Sequence, residues 1–285
     1  MTVAPRKRVA LHPASATAGR NVINIASGKG GVGKTWMAIS LAHTLARQGE
    51  KTLLFDADFG LANVDVQLGL NAERDLGDVV AGRVSMNKAV TPFADGGFDI
   101  IVGQSGSGRL ADMDRARLSE LKSDLWQLAQ RYDRVIIDLG AGLESAVRSL
   151  TPRGGMTLVV ATDEPTSLTD AYAYIKVSIQ ENSRADMRLA INMANDRRQG
   201  EKTYGALAKA CRTFLNYTPP LMGIVRRDDR IPDAIRRQTA FLSRHPQAEA
   251  AEDLAEMATT IRNQPAKSAV KKAVKKTDKP SEANP

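Results

Sequence analysis

The residues Gly28 to Thr35, GKGGVGKT, have the types and spacing to grip a chain of phosphates. Gly28, Gly30, Gly31 and Gly33 let backbone N–H groups turn inward around phosphate oxygens, where side chains would clash. Val32 lies within the loop and Trp36 directly follows it. Lys34 has the reach to neutralise β- and γ-phosphate oxygens, and the Thr35 hydroxyl suits Mg²⁺. An apolar stretch to Arg47 follows, so bound phosphates would also meet the dipole and unpaired N–H groups of a helix start. Lys29 is a second lysine inside the loop; taken alone, it reads as a solvated side chain.

Phosphoryl transfer to water also needs acids near the metal and the attacking water. Two candidates, Asp56 and Asp58, end the run Lys51–Asp58 (KTLLFDAD). A third, Asp138, ends Tyr132–Asp138 (YDRVIID) and is followed by LGAG, which contains Gly140 and Gly142. An acid closing a buried strand opposite a phosphate loop is the Walker B arrangement. The plain alternative is a strand ending in a solvated acidic turn.

The elements that must position these groups are legible as alternating strands and helices. Stretches at Val22–Ala26, Lys51–Asp58, Phe98–Val102, Tyr132–Asp138, Met156–Ala161, Arg188–Asn192 and Leu221–Val225 read as strands of a sheet covered on both faces. Leu118, Leu121, Leu125 and Leu128 recur at helical spacing, as do Leu254, Met257 and Ile261. Further helices are expected over 36–47 and 202–215. Residues 66–97 read as helix and loop with Leu76, Val79 and Val80 on one face, and 103–108 as a glycine-serine turn. Ser167 and Asp170 fit a capping box for a helix after the strand at Met156. The pattern predicts an α/β fold: a twisted, mostly parallel sheet with helices on both faces and ligands at the carboxyl edge of the strands.

Charge divides the chain into three parts. The formal net charge is +8. Residues 1–20 contribute Arg6, Lys7, Arg8 and Arg20 without an acid; residues 266–285 contribute six lysines against Asp278 and Glu282. The stretch between balances at 30 basic and 30 acidic residues, 40 − 4 − 6 against 32 − 2. A disordered basic leader (1–20), one catalytic domain (21–263) and a disordered Lys/Ala-rich tail (264–285) are therefore expected. The neutral domain argues against DNA as a partner. One cysteine, Cys211, leaves no intramolecular disulfide and no cysteine-rich metal site. No apolar run reaches the roughly 20 residues that span a bilayer, and no secretory signal is evident. A cytoplasmic protein is expected.

Four stretches carry a family resemblance. KGGVGKT resembles the deviant Walker A motif of the MinD/ParA ATPases, DADFGLANVD (56–65) their switch I, and DLGAG (138–142) their switch II. EPTSLTDAYAYIK (164–176) resembles the flagellar-number group of that family, known as FlhG, FleN or YlxH. The resemblance covers about residues 20–260. It implies ATP and Mg²⁺ as ligands, slow hydrolysis to ADP and phosphate, and a homodimer closed over two nucleotides, with Lys29 reaching the partner's nucleotide. It assigns catalysis to Lys29, Lys34 and Asp58. Thr35, Asp56 and Asp138 fall to the metal and its water shell, Asn63 and Asp65 to the polar switch I loop, and Gly140 and Gly142 to sensing the γ-phosphate. Asn192 takes the adenine-reading position, with Met193 where a basic residue is usual, and Asp228 falls near the base. The implied role is control of flagellar number or placement through a flagellar GTPase or a transcription activator. A nucleotide-binding antiactivator with incidental hydrolysis and a ParA-type DNA-partitioning ATPase are the alternatives. The tail lacks the bulky apolar residues of a MinD membrane helix, so only weak, lysine-driven membrane contact is expected, transiently at the inner membrane face or a pole. The leader lacks the DQAxxLR-like element by which some relatives activate a GTPase.

Overall fold

The computed structural model describes residues 19–58, 62–103, 114–141 and 154–263. Residues 1–18 of the leader, Phe59, Gly60 and Leu61 of the 56–65 stretch, the tail, the 103–108 turn beyond Gly103, and Gly142 lie outside the described residues.

Among the described residues eight strands form one sheet: β1 (Val22–Ala26), β2 (Thr52–Ala57), β3 (Thr91–Phe93), β4 (Phe98–Ile101), β5 (Arg134–Leu139), β6 (Met156–Ala161), β7 (Asp186–Ala194) and β8 (Leu221–Arg226). Their order is β3-β4-β2-β5-β1-β6-β7-β8. All pairs are parallel except β3 with β4. Among the described residues the helices are α1 (Lys34–Arg47), α2 (Val64–Leu68), α3 (Leu76–Val80), α4 (Arg115–Ala129), α5 (Pro165–Glu181), α6 (Arg197–Leu215), α7 (Arg230–Arg236), α8 (Phe241–Arg244) and α9 (Glu249–Asn263). This is the α/β class expected.

Strand alternation builds two cores. Ile23, Ile25, Leu54 and Ile136 face one side and pack with Met37, Leu41 and Leu45 of α1 and Leu254, Met257 and Ile261 of α9. Val22, Leu53, Phe55, Val135 and Ile137 face the other, against Leu121, Leu125 and Leu128 of α4, Ile175 of α5 and Leu207 of α6. Both faces being covered, the central strands read as apolar runs without polar alternation.

β1 lies between β5 and β6. The chain leaves β1 toward β2 on one side and later crosses to β6 on the other. The loop after β1 therefore opens into the crevice at a topological switch point, where ligands of open α/β sheets bind.

Two expectations need correction. The 66–97 stretch contains an edge strand, β3, pairing Pro92 with Asp99. A three-residue strand with a central proline carries little strand signal, yet proline is tolerated on an edge. The capping box at Ser167 is not formed either. The helix begins earlier, at Pro165, with Glu164 as N-cap. Proline suits a first helical position because its missing N–H would be unpaired there anyway. Ser167 is buried, and its hydroxyl accepts from the Thr162 N–H at 3.0 Å.

Candidate functional site

The phosphate loop runs from Ser27 to Gly33 between β1 and α1. The Ser27 hydroxyl donates to the Lys29 carbonyl at 2.7 Å, tying the loop's first turn. Gly31 and Gly33 have φ of +80° and +84°, the left-handed region that side chains disfavour. Gly28 needs glycine for another reason: a Cβ there would collide with the Asp170 backbone of α5. Gly33 is the N-cap of α1, and a Cβ on it would meet the side-chain nitrogen of Asn192.

The two loop lysines are placed differently. Lys34 is buried, its side chain 8% exposed, with Nζ 3.5 Å from Asp138 Oδ1. That separation is an ion contact rather than a tight hydrogen bond. Lys29 is on the rim, 36% exposed, with Nζ 2.5 Å from Glu164 Oε2 and 2.9 Å from Thr166 Oγ1. Both partners belong to the N-terminus of α5, so Lys29 has an ion pair within its own subunit that the sequence did not announce.

Three carboxylates gather at the ends of β2 and β5, and Asp138 is the one that meets Lys34. Asp56 and Asp138 are register partners on neighbouring strands. Asp138 is fully buried, and that burial raises its carboxyl above the usual range, although Lys34 and the Thr35 hydroxyl pull the other way. Asp56 is pushed up to about 7, first by burial and then by the Asp138 charge. Its oxygens accept from the Asp58 N–H at 3.1 Å and the Val64 N–H at 3.3 Å, which fixes the start of switch I on β2. Asp58 leans over Gly140: a Cβ on that glycine would lie 3.3 Å from Asp58 Oδ1. The two segments named as switches from sequence are thus adjacent in space. Asn63 is the N-cap of α2 and Asp65 lies in its first turn.

This donor set fits a divalent cation. Asp56 and Asp58 lie beside Asp138, which pairs with the buried Lys34, and Asp138 Oδ2 is buried without a hydrogen-bond partner. Among the described residues no three His, Cys, Asp or Glu side chains form a protein-only cage. Mg²⁺ usually takes one or two protein ligands and completes its shell with water and substrate phosphates.

The other candidates scatter. Asn192 is buried at the end of β7 and donates Nδ2 to the Val32 carbonyl at 2.8 Å. The next residue, Met193, has φ of +57° in a stretch where the β7–β8 register shifts. Trp36 is a core residue, 5% exposed, its ring 5.7 Å from Phe241, so only its backbone is available to a phosphate. Asp228 is engaged by Arg230, at 2.8 Å from Nε and 2.7 Å from Nη2, which holds its carboxyl below the usual range. The structure groups Lys34, Thr35, Asp56, Asp58 and Asp138 in one cluster and leaves Trp36 and Asp228 outside it. Glu164 and Thr166 were missed as site residues. Their only signal was proximity to Pro165, which marks a helix start and not a partner for Lys29.

A sheet with a glycine loop at its switch point, two loop lysines and paired strand-end aspartates defines a P-loop nucleotide hydrolase. Residues 23–241 match the CobQ/CobB/MinD/ParA nucleotide binding domain, and the chain belongs to that family. It is an ATPase of the MinD/ParA type. It is 36% identical over 232 residues to the antiactivator FleN of Pseudomonas aeruginosa, covering 80% of this chain and 81% of FleN. It is 30% identical over 190 residues to the flagellum site-determining protein YlxH of Helicobacter pylori, covering 67% of this chain and 64% of YlxH. The fold matches that of the cell division ATPase MinD of Pyrococcus furiosus with TM-score 0.69 at 21% identity, over 85% of this chain and 98% of MinD. It also matches MinD of Pyrococcus horikoshii, solved with Mg-ADP, with TM-score 0.68 at 21% identity, over 85% and 95% of the two chains. No helix among the described residues is long and apolar enough to cross a membrane.

Proposed function

We propose that this chain is an ATP-driven dimerisation switch that regulates flagellar number or placement. The observation that carries the reading is the split between the loop lysines. Lys34 is buried toward Asp138, while Lys29 stands at the rim, 36% exposed, where a second subunit's nucleotide can reach it. Two subunits close face to face over two ATP molecules. Lys34 neutralises the phosphates of its own nucleotide and Lys29 those of its partner's. Asp58, beside switch II, orients the attacking water, which adds to the γ-phosphorus as ADP leaves. Thr35 would hold Mg²⁺ through its hydroxyl, with Asp56 and Asp138 ordering the surrounding water, and the ion would supply neutralisation of phosphate charge. Release of phosphate frees the switches and the dimer opens. YlxH is a flagellum site-determining protein, which supports the flagellar output; the partner in this reading is a GTPase or a transcription activator.

FleN is an antiactivator, which favours a second reading, in which bound ATP sets the shape that inhibits an activator and hydrolysis is incidental. One set of measurements tests both. Calorimetry of Lys34→Ala should show at least a 100-fold loss of ATP affinity, and unchanged affinity rejects the site. Counts of flagella per cell should change on deletion and stay abnormal when Asp58→Ala is restored. Full rescue by Asp58→Ala selects the second reading.

A further inference from the structure

Between α5 and α6 lies an open groove of about 430 Å³ lined by Leu168, Tyr172, Leu207, Ala210 and Phe214. Phe214 is 74% exposed, one of two large apolar residues that stand out in solvent among the described residues. Its ring meets Tyr172 edge-on, with centroids 6.5 Å apart, so the two aromatics form one wall. An aromatic held in this way on a surface loses little conformational entropy when a partner covers it.

The exposed face of α6 beside the groove carries four cations, with Glu201 at its far margin. Arg198, Lys202, Lys209 and Arg212 fall within an arc of ~80° on α6 at 100° per residue. All four are exposed. Among the described residues none of their side chains has a hydrogen bond or an ion pair. Their neighbour Arg197, by contrast, is held by Asp253 and Glu256. The folded stretch balances to zero overall, so an unpaired cationic stripe beside an apolar groove is a local excess and not an effect of general charge.

We infer that this groove docks an acidic amphipathic helix of a partner protein: apolar side chains at i, i+3 or i+4 and i+7 enter between α5 and α6, and Asp or Glu along one flank meet the α6 stripe. The concavity favours a protein helix over a lipid surface, which a convex apolar face would suit better. The site is mechanically close to the nucleotide. The helix that supplies Leu168 and Tyr172 also holds Lys29 through Glu164 and Thr166, and its Asp170 backbone lies against Gly28. The inference deepens the partner half of the function proposed above and rests on that reading for its biological sense, but the docking itself requires no hydrolysis.

The test is selection of a displayed library of random 16-residue peptides on the full chain, with binding of the survivors measured by fluorescence anisotropy. The variants are Phe214→Ser and the pair Lys202→Glu with Lys209→Glu, all exposed positions. ATP affinity and melting temperature are read alongside, and both should match the parent. Survivors rich in Asp and Glu with apolar residues at helical spacing, losing at least tenfold in affinity to each variant, support the groove. Survivors without that pattern, no survivors, or affinities unmoved by Phe214→Ser overturn it. Phe214-dependent sedimentation with phosphatidylglycerol vesicles overturns it in favour of a membrane. Loss of ATP binding by the parent chain would strike the proposed function and leave the peptide result standing.

Discussion

Asn192 donates its side-chain amide to the Val32 carbonyl at 2.8 Å, so the end of β7 braces the last turn of the phosphate loop. The donor is buried, and Gly33 carries no Cβ at the point where Asn192 approaches. An asparagine that reads adenine needs a donor and an acceptor; here one of the two amide hydrogens is committed to the loop, leaving the second hydrogen and the oxygen for a base. Asn192→Ala should therefore lower stability by about 1–3 kcal/mol, the cost of an orphaned buried carbonyl. It should also weaken inorganic tripolyphosphate and ATP together. Competition binding checks this; a variant that loses ATP but keeps full tripolyphosphate affinity would make Asn192 a base reader only.

Lys29→Ala should bind ATP nearly as well as the parent but fail to dimerise or hydrolyse it. The lysine is tied to Glu164 and Thr166 at the rim and lies outside the Asp56, Asp58 and Asp138 cluster. Removing a half-exposed ion pair costs folding little. Light scattering with ATP is the measurement, and dimers equal to the parent's would assign Lys29 to its own subunit alone.

Asp58→Ala should trap the ATP-bound dimer. The side chain lies over Gly140 and adds its charge to those of Asp56 and Asp138. Its loss removes the water-orienting acid, relieves repulsion among the carboxylates and leaves Lys34 and Thr35 in place. Turnover should fall at least 100-fold, a loss of about 2.7 kcal/mol of transition-state stabilisation. Phosphate release at the parent's rate would move the catalytic role elsewhere.

His43 should make the protein sensitive to acid. Its imidazole is buried at the far end of α1, and burial, aided by the Arg47 charge, lowers its pKa to about 4 against a smaller opposing pull from Asp95. Between pH 6.5 and 4 the unfolded chain binds a proton that the folded one does not. Stability is therefore complete above 6.5 and falls with pH below it, by at most about 3 kcal/mol. Urea midpoints at pH 7.5 and 4.5 should differ less for His43→Leu than for the parent. An equal acid loss in both would clear His43.

The sequence by itself determined the α/β class, the P-loop and the strand-end acids. Each of these is a local pattern with a physical cause: glycines where phosphates need backbone room, apolar runs where a sheet is covered on both faces, and acids where strands end at the ligand edge. Tertiary structure decided what those residues touch. Periodicity gives no sign that α5 would bring Glu164 to Lys29 or Asp170 to Gly28, because those pairs lie more than 130 residues apart and meet only once β1 and β6 are neighbours. Nor did sequence separate Asn192, which reaches the loop from β7, from Asp228, which α7 holds through Arg230. The edge strand β3 was hidden for the opposite reason. Three residues around a proline carry almost no propensity of their own, and they form a strand only because β4 offers an unpaired edge.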